Sequence, residues 1–286
     1  MKLIYGTSSE RIGKNLGKYL GIDAIKVEHK VFPDGEQYVR IPADINGEKV
    51  AYVQTFRPDS AIMEAFFTLD AIKEQGASEI IAVIPYFGYG RQDKVFIEGE
   101  GVSARTLMRM LSYLSDSLIV VDIHAPHVFE WYGKRAENII PAKSIAGKLS
   151  ELGIDFVLSP DKGALHRAKA VAEIMGVEFD HLEKTRLSGT EVKMVEKNLD
   201  VMGKKVAIVD DIISTGGTIA RASEMLKKSG AKEVYAVCTH GLFIGPAIER
   251  LNKSTDGFMS TDTIESEYSR ISVAEEIGEK IKEILL

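Results

Sequence analysis

The chain has 286 residues, enough for one large domain or two of ordinary size. Its formal net charge of −6, with charged residues of both signs throughout, excludes the basic face of a nucleic-acid binder, and no stretch is long and apolar enough to span a membrane. A single cysteine, Cys238, excludes an internal disulfide and a cysteine metal cluster, and the first residues lack the apolar run of a signal peptide, so a cytoplasmic location is the expectation.

Short β-rich runs alternate with helical stretches along the chain. Strands are predicted at 2–5, 50–54, 79–85, 118–123, 156–159, 206–210 and 233–239. Helices are predicted at 9–20, 61–75, 103–112, 164–175, 219–228 and 273–285, with Gly76 and Gly230 placed where two of them should stop. This alternation predicts an α/β protein built on mainly parallel sheets.

Polar clusters fall at the predicted strand and turn ends. Residues 32–36, FPDGE, form a turn in which Phe32 offers an aromatic face, and Asp34, Gly35 and Glu36 offer acceptors and a tight bend. After the strand ending at Pro85, Arg91 and Lys94 can bind phosphate oxygens and Gln92 can read a base or ribose edge; a solvated polar loop would look similar. Asp122 and His124 follow another strand, two residues apart and so on one side if the chain is extended there. Asp161 ends the strand at 156–159 and is a candidate oxygen ligand for Mg²⁺. Lys184 and Arg186 stand two apart in a polar stretch, where they could neutralise a transferring phosphoryl group or simply be solvated.

The organising stretch is Lys205 to Thr218, KVAIVDDIISTGGT. An apolar strand ends in Asp210 and Asp211, then Ser214, Thr215, Gly216, Gly217 and Thr218 lead into a helix. Small hydroxylated residues and glycines entering a helix suit a phosphate, since backbone N–H groups face the anion and glycines let the backbone approach. Carboxylates beside a phosphate would repel it, so Asp210 and Asp211 should face sugar hydroxyls or a metal. The order of these parts resembles the phosphoribosyl diphosphate (PRPP) loop of the type I phosphoribosyltransferase fold.

The chain also echoes itself. Residues 72–83, IKEQGASEIIAV, align with 226–237, LKKSGAKEVYAV, and 49–58 stand where 205–214 do. A weaker echo links Ile145, Lys148 and Leu149 to Ile277, Lys280 and Ile281. Two similar units follow, 1–149 and 150–286, of which only the second keeps the sugar-phosphate loop.

Taken together, FPDGE (32–36), RQDK (91–94), DIH (122–124), SPD (159–161), KTR (184–186) and DDIISTGGT (210–218) resemble the ribose-phosphate diphosphokinase (PRPP synthetase) family, in its order and over nearly the whole chain. The resemblance implies two phosphoribosyltransferase-type I domains, each a mainly parallel sheet flanked by helices. The first would carry the ATP-binding motifs and the second the ribose 5-phosphate loop. It implies transfer of the β,γ-diphosphoryl group of ATP to ribose 5-phosphate, giving PRPP and AMP. Phe32, Asp34, Gly35, Glu36, Arg91 and Gln92 would bind ATP, and His124 and Asp161 would serve Mg²⁺. Asp210 and Asp211 would hold the ribose hydroxyls, Ser214 to Thr218 the 5-phosphate, and Lys184 with Arg186 would be catalytic.

The family's FPDGE loop reaches a neighbouring subunit, which implies a homodimer or higher homo-oligomer. Residues 95–103, VFIEGEGVS, replace the basic regulatory loop of many members, and 125–131, APHVFEW, replace a Gln-rich ending; both are closer to the archaeal type. Two other readings share the organising loop: a transferase that consumes PRPP, and a non-catalytic PRPP or nucleotide sensor. The first leaves the motifs of the first half unexplained, and the second has no need of Lys184 and Arg186.

Overall fold

A computed structural model describes residues 1–186, 192–195 and 199–286; for 184–186 and 192–195 the backbone alone is described. The chain divides into two compact units, the first made of 1–139, 263–265 and 272–286, the second of 140–262 and 266–271.

The first unit starts with β1 (Lys2–Tyr5), α1 (Glu10–Leu20) and β2 (Ala24–Lys26), then a hairpin of β3 (Glu28–Val31) and β4 (Gln37–Arg40). It continues through β5 (Lys49–Val53), α2 (Asp59–Glu74), β6 (Glu79–Ile84), α3 (Ser103–Leu114), β7 (Ser117–Val121) and β8 (Arg135–Ile139). Six strands form one all-parallel sheet in the order β2-β1-β5-β6-β7-β8. Its central strands are almost wholly apolar because both faces are covered. Val50, Ile80 and Leu118 meet Leu69 of α2 and Met108 of α3 on one face. Leu3, Ala51 and Ile81 meet Leu16 of α1 on the other, together with Ile277 and Ile281 from the last helix of the chain.

The second unit repeats this plan. It comprises α4 (Ala142–Glu151), β9 (Phe156–Ser159), α5 (Leu165–Met175), β10 (Glu178–His181), a hairpin of β11 (Glu183–Arg186) and β12 (Val192–Val195), β13 (Lys205–Ile213), α6 (Gly217–Lys228), β14 (Glu233–Gly241), α7 (Ala247–Ser254), β15 (Gly257–Thr261) and β16 (Ser269–Ile271). The sheet order β10-β9-β13-β14-β15-β16, again all parallel, is that of the first unit strand for strand. Gly76 and Gly230 hold the same left-handed conformation after α2 and α6, at φ +82° and +88°.

The boundary expected after residue 149 falls elsewhere. The apolar stripe of α4, Ile145 and Leu149, is buried against Ala168 and Val171 of α5 in the second unit. The final helix, α8 (Ala274–Leu285), buries Ile277, Ile281 and Ile284 in the first unit, beside α1. The weak echo between 145–149 and 277–281 therefore joins two helices with equivalent places in the two sheets.

In both sheets the chain goes to one side of the first strand and then returns to the other. That leaves a switch point between β1 and β5, and another between β9 and β13, where open parallel sheets take their ligands.

Candidate active site

The loops after β9 and β13 flank the switch point of the second unit. Asp161 follows β9 and accepts the Ala164 N–H at 3.1 Å, tying it to the start of α5. Asp210 and Asp211 lie toward the C-terminal end of β13, where Asp210 accepts the Asp211 N–H at 2.9 Å and Asp211 accepts the Ile212 N–H at 2.8 Å. Burial, and then the neighbouring Asp211, push the Asp210 carboxyl well above the usual carboxylate range; Asp161 adds to the effect. The side chain of Asp211 is buried, and Nη2 of the equally buried Arg167 on α5 stands 3.5 Å from its Oδ2.

The glycine turn leads from β13 into α6. Gly216 takes φ +72°, which turns the chain into α6, and no side chain caps that helix, so its first N–H groups face outward without a side-chain acceptor. A β-carbon on Gly216 would come 3.3 Å from Leu251 Cγ and 3.5 Å from the Ala247 carbonyl, so the turn rests directly on α7. Ser214 receives the Ile244 N–H on its carbonyl at 3.0 Å, which fixes the start of the loop. A phosphate at this turn meets backbone donors and a helix N-terminus, with the carboxylates a few residues back on β13.

The fit to Mg²⁺ rests on donor chemistry. Among the described residues no group of three or more His, Cys, Asp or Glu side chains is arranged to hold a metal. Asp161 and the Asp210–Asp211 pair nevertheless offer hard oxygen donors near one another, since Asp161 and Asp211 both act on the buried Asp210 carboxyl. Mg²⁺ is commonly held by one or two carboxylates with substrate phosphates completing its shell, so this donor set fits.

In the first unit, Phe32 to Glu36 form the tip of the β3–β4 hairpin. The Phe32 N–H donates to the Glu36 carbonyl at 2.8 Å and the Glu36 N–H to Asp34 Oδ1 at 3.0 Å. Gly35 takes φ +94°, and Phe32 lies exposed beside Tyr38. Arg91 is exposed, while the Gln92 amide donates to the Gly101 carbonyl at 3.3 Å and so braces its own loop. Tyr86 and Tyr89, just upstream, line a cleft of about 640 Å³ with Arg57 and Asp59.

The condition behind one expectation is not met: Asp122 has φ +45°, so the chain leaves the extended form after β7, and Asp122 is buried while His124 is exposed. At the switch point of this unit the loop N–H groups are taken by side chains: Gln54 Oε1 accepts the Ser8 N–H at 3.2 Å, Ser9 Oγ accepts the Thr55 N–H at 2.7 Å, and buried Glu64 accepts the Thr7 N–H at 2.8 Å.

Lys184 and Arg186 fall on β11, opposite Met194 and Val192 of β12, two apart on an extended strand as expected. Their side chains, and residues 187–191, lie outside what is described. Sequence reasoning missed Arg167 and Arg250. Arg167 carried a signal, since it sits four residues before Val171 on the buried stripe of α5, where a charge needs a partner.

The match to known proteins is extensive. The N-terminal domain of ribose phosphate pyrophosphokinase matches residues 1–114, and the phosphoribosyl transferase domain matches 136–271. The ribose-phosphate pyrophosphokinase of Pyrococcus furiosus is 51% identical over 254 residues, 88% of this chain and 90% of that protein. The chain belongs to the ribose-phosphate pyrophosphokinase family. It is an enzyme of that family, and the likeness to archaeal members is borne out. The ribose-phosphate pyrophosphokinase of Pyrococcus abyssi is 44% identical, covering 98% of this chain and 100% of its own. The crystal structure of phosphoribosylpyrophosphate synthetase from Mycobacterium smegmatis, 28% identical, superposes with a TM-score of 0.86 over 99% of this chain and 98% of its own. The pyrophosphokinase fold, two parallel sheets flanked by helices, is thus the one expected from the sequence.

Proposed function

We propose that the chain transfers the β,γ-diphosphoryl group of ATP to the anomeric hydroxyl of ribose 5-phosphate, giving PRPP and AMP. The observation that carries this reading is the second unit's switch point, where an uncapped helix start lies next to a carboxylate cluster. A phosphate and a polyhydroxylated sugar need those two features side by side. Ser214 to Thr218 bind the 5-phosphate, and Asp210 and Asp211 hold the ribose hydroxyls. Phe32, Asp34, Gly35, Glu36, Arg91 and Gln92 bind ATP, in keeping with an exposed aromatic ring and an exposed guanidinium.

In the reaction the anomeric oxygen bonds to the β-phosphorus, and the bond from that phosphorus to the α,β-bridging oxygen breaks. AMP departs with that oxygen, and the hydroxyl proton passes to solvent. Catalysis of this kind is alignment plus neutralisation of charge. Lys184 and Arg186 supply positive charge to the moving diphosphoryl group, and His124 and Asp161 would each serve Mg²⁺ and its nucleotide. When bound, Mg²⁺ would draw negative charge from the phosphate oxygens and make the β-phosphorus more electrophilic. We further propose a homodimer or larger homo-oligomer in the cytoplasm; no helix among the described residues is long and apolar enough to cross a membrane.

The test is product analysis with γ-labelled ATP, ribose 5-phosphate and Mg²⁺, and no base. Label in PRPP with one AMP per PRPP is expected, with a fall of about 10³-fold or more for Lys184→Ala. Absence of AMP under all conditions refutes the reaction. PRPP made equally well by the variant refutes the role of the lysine.

A further inference from the structure

One cation beside the phosphate turn has no role in the scheme above. Arg250, on α7, directs Nη1 to the carbonyl of Thr215. The same nitrogen stands 3.5 Å from the point where a β-carbon on Gly217 would be. Its guanidinium therefore lies along the Thr215–Gly216–Gly217 turn. Glu249, the adjacent carboxylate on α7, pairs with Lys253 one turn on. Among the described residues no carboxylate pairs with Arg250, and one of its five N–H donors is spent on Thr215.

We propose that Arg250 is the residue that makes the loop select a phosphorylated sugar, a proposal that rests on the ribose 5-phosphate reading of this turn. Two effects combine. A carbonyl oxygen turned toward a phosphate repels it, and Arg250 holds the Thr215 carbonyl back, which leaves the N–H groups of the turn facing the anion. The guanidinium also brings a full positive charge to a cradle otherwise built of partial charges. Charge-assisted bonds of this kind to phosphate are stronger than neutral ones, and a planar fork is better suited to them than a point charge. Arg250 acts on the phosphate end of the sugar, remote from the anomeric oxygen, so it governs affinity and selectivity more than the chemical step.

The experiment measures ribose 5-phosphate and ribose binding by calorimetry without ATP, then kinetics with both substrates, for the full chain and for Arg250→Met, Arg250→Gln and Arg250→Lys. In Arg250→Met and Arg250→Gln, affinity for ribose 5-phosphate falls by roughly tenfold to a hundredfold, while binding of unphosphorylated ribose does not change. KM for ribose 5-phosphate rises by the same factor, KM for ATP stays put, and kcat at saturation drops less than threefold. Arg250→Lys lies between, because it keeps the charge and loses the fork. Unchanged affinity in both neutral variants overturns the proposal, as does an equal loss for ribose and for ATP, which marks a merely structural residue. If wild type binds ribose 5-phosphate and forms no PRPP, the diphosphokinase reading fails while the binding comparison still decides the role of Arg250.

Discussion

Replacing Arg167 by leucine removes the positive partner 3.5 Å from the Asp211 carboxylate, at a place where both side chains are about nine-tenths buried. At an effective dielectric constant of about 20, unit charges at that distance attract by roughly 5 kcal/mol, against a desolvation cost of similar size. The pair as a whole contributes little net stability. Breaking it is another matter, because Asp211 keeps its desolvation cost and retains the Ile212 N–H but loses the guanidinium. A loss of about 3–5 kcal/mol follows, equivalent to a fall in Tm on the order of 10 °C for a unit of this size. The double variant Arg167→Leu/Asp211→Asn removes the charge as well and should recover at least about 2 kcal/mol of that loss. Thermal and urea unfolding of the four proteins measures the cycle. If Arg167→Leu lies within about 1 kcal/mol of wild type, or the two substitutions simply add, the buried pair does not govern this site.

Asp210→Asn separates stability from function. Because burial raises the carboxyl in the folded chain, stability is fully present below the unfolded-state value of about 4 and is lost as pH climbs through the raised folded value. The asparagine variant escapes that loss, so it should be about 1 kcal/mol more stable than wild type at pH 8 and converge with it toward pH 4, while ribose 5-phosphate binding is lost. An offset in Tm that does not vary with pH contradicts the argument. In α8, Ile281→Ala should cost about 2–5 kcal/mol, although the residue lies at the far end of the chain from the Leu3 and Leu16 it helps enclose; a change under about 1 kcal/mol on urea unfolding would remove α8 from that core.

The legible parts of the fold were those with strong local patterns. The apolar runs of β5, β6, β13 and β14 announced central parallel strands, and Gly76 and Gly230 marked helix ends at φ values few other residues accept. Edge strands were silent: β8 carries Arg135 and Glu137, and β2 is three residues long, so neither has an apolar period to read. The organising loop was visible as chemistry, since Asp210, Asp211 and the glycine turn are contiguous. Arg250 was not, because it meets the turn through packing of one element on another, and Arg167 showed only as a charge on a buried stripe, with its partner hidden in the packing. The spacing of Asp122 and His124 could not be read as one side of a strand, because periodicity assumes an extended chain and a single positive φ cancels it. The placement of α8 was equally hidden, for its stripe says that it must be covered and not by which sheet.

That helix has a consequence for how the protein is made. The first unit holds both the first strand and the last helix, so the half of the chain that leaves the ribosome first is completed last. With 10 or so residues added per second, the apolar surface made by Leu3 of β1 and by Ile12 and Leu16 of α1 waits on the order of 10–30 s for Ile277, Ile281 and Ile284, which follow every strand of the second unit. A nascent chain exposed as far as residue 271, with the residues beyond it still inside the ribosome, would therefore present one finished unit and one open apolar face, and it is at this stage that a chaperone or a second nascent chain has something to bind.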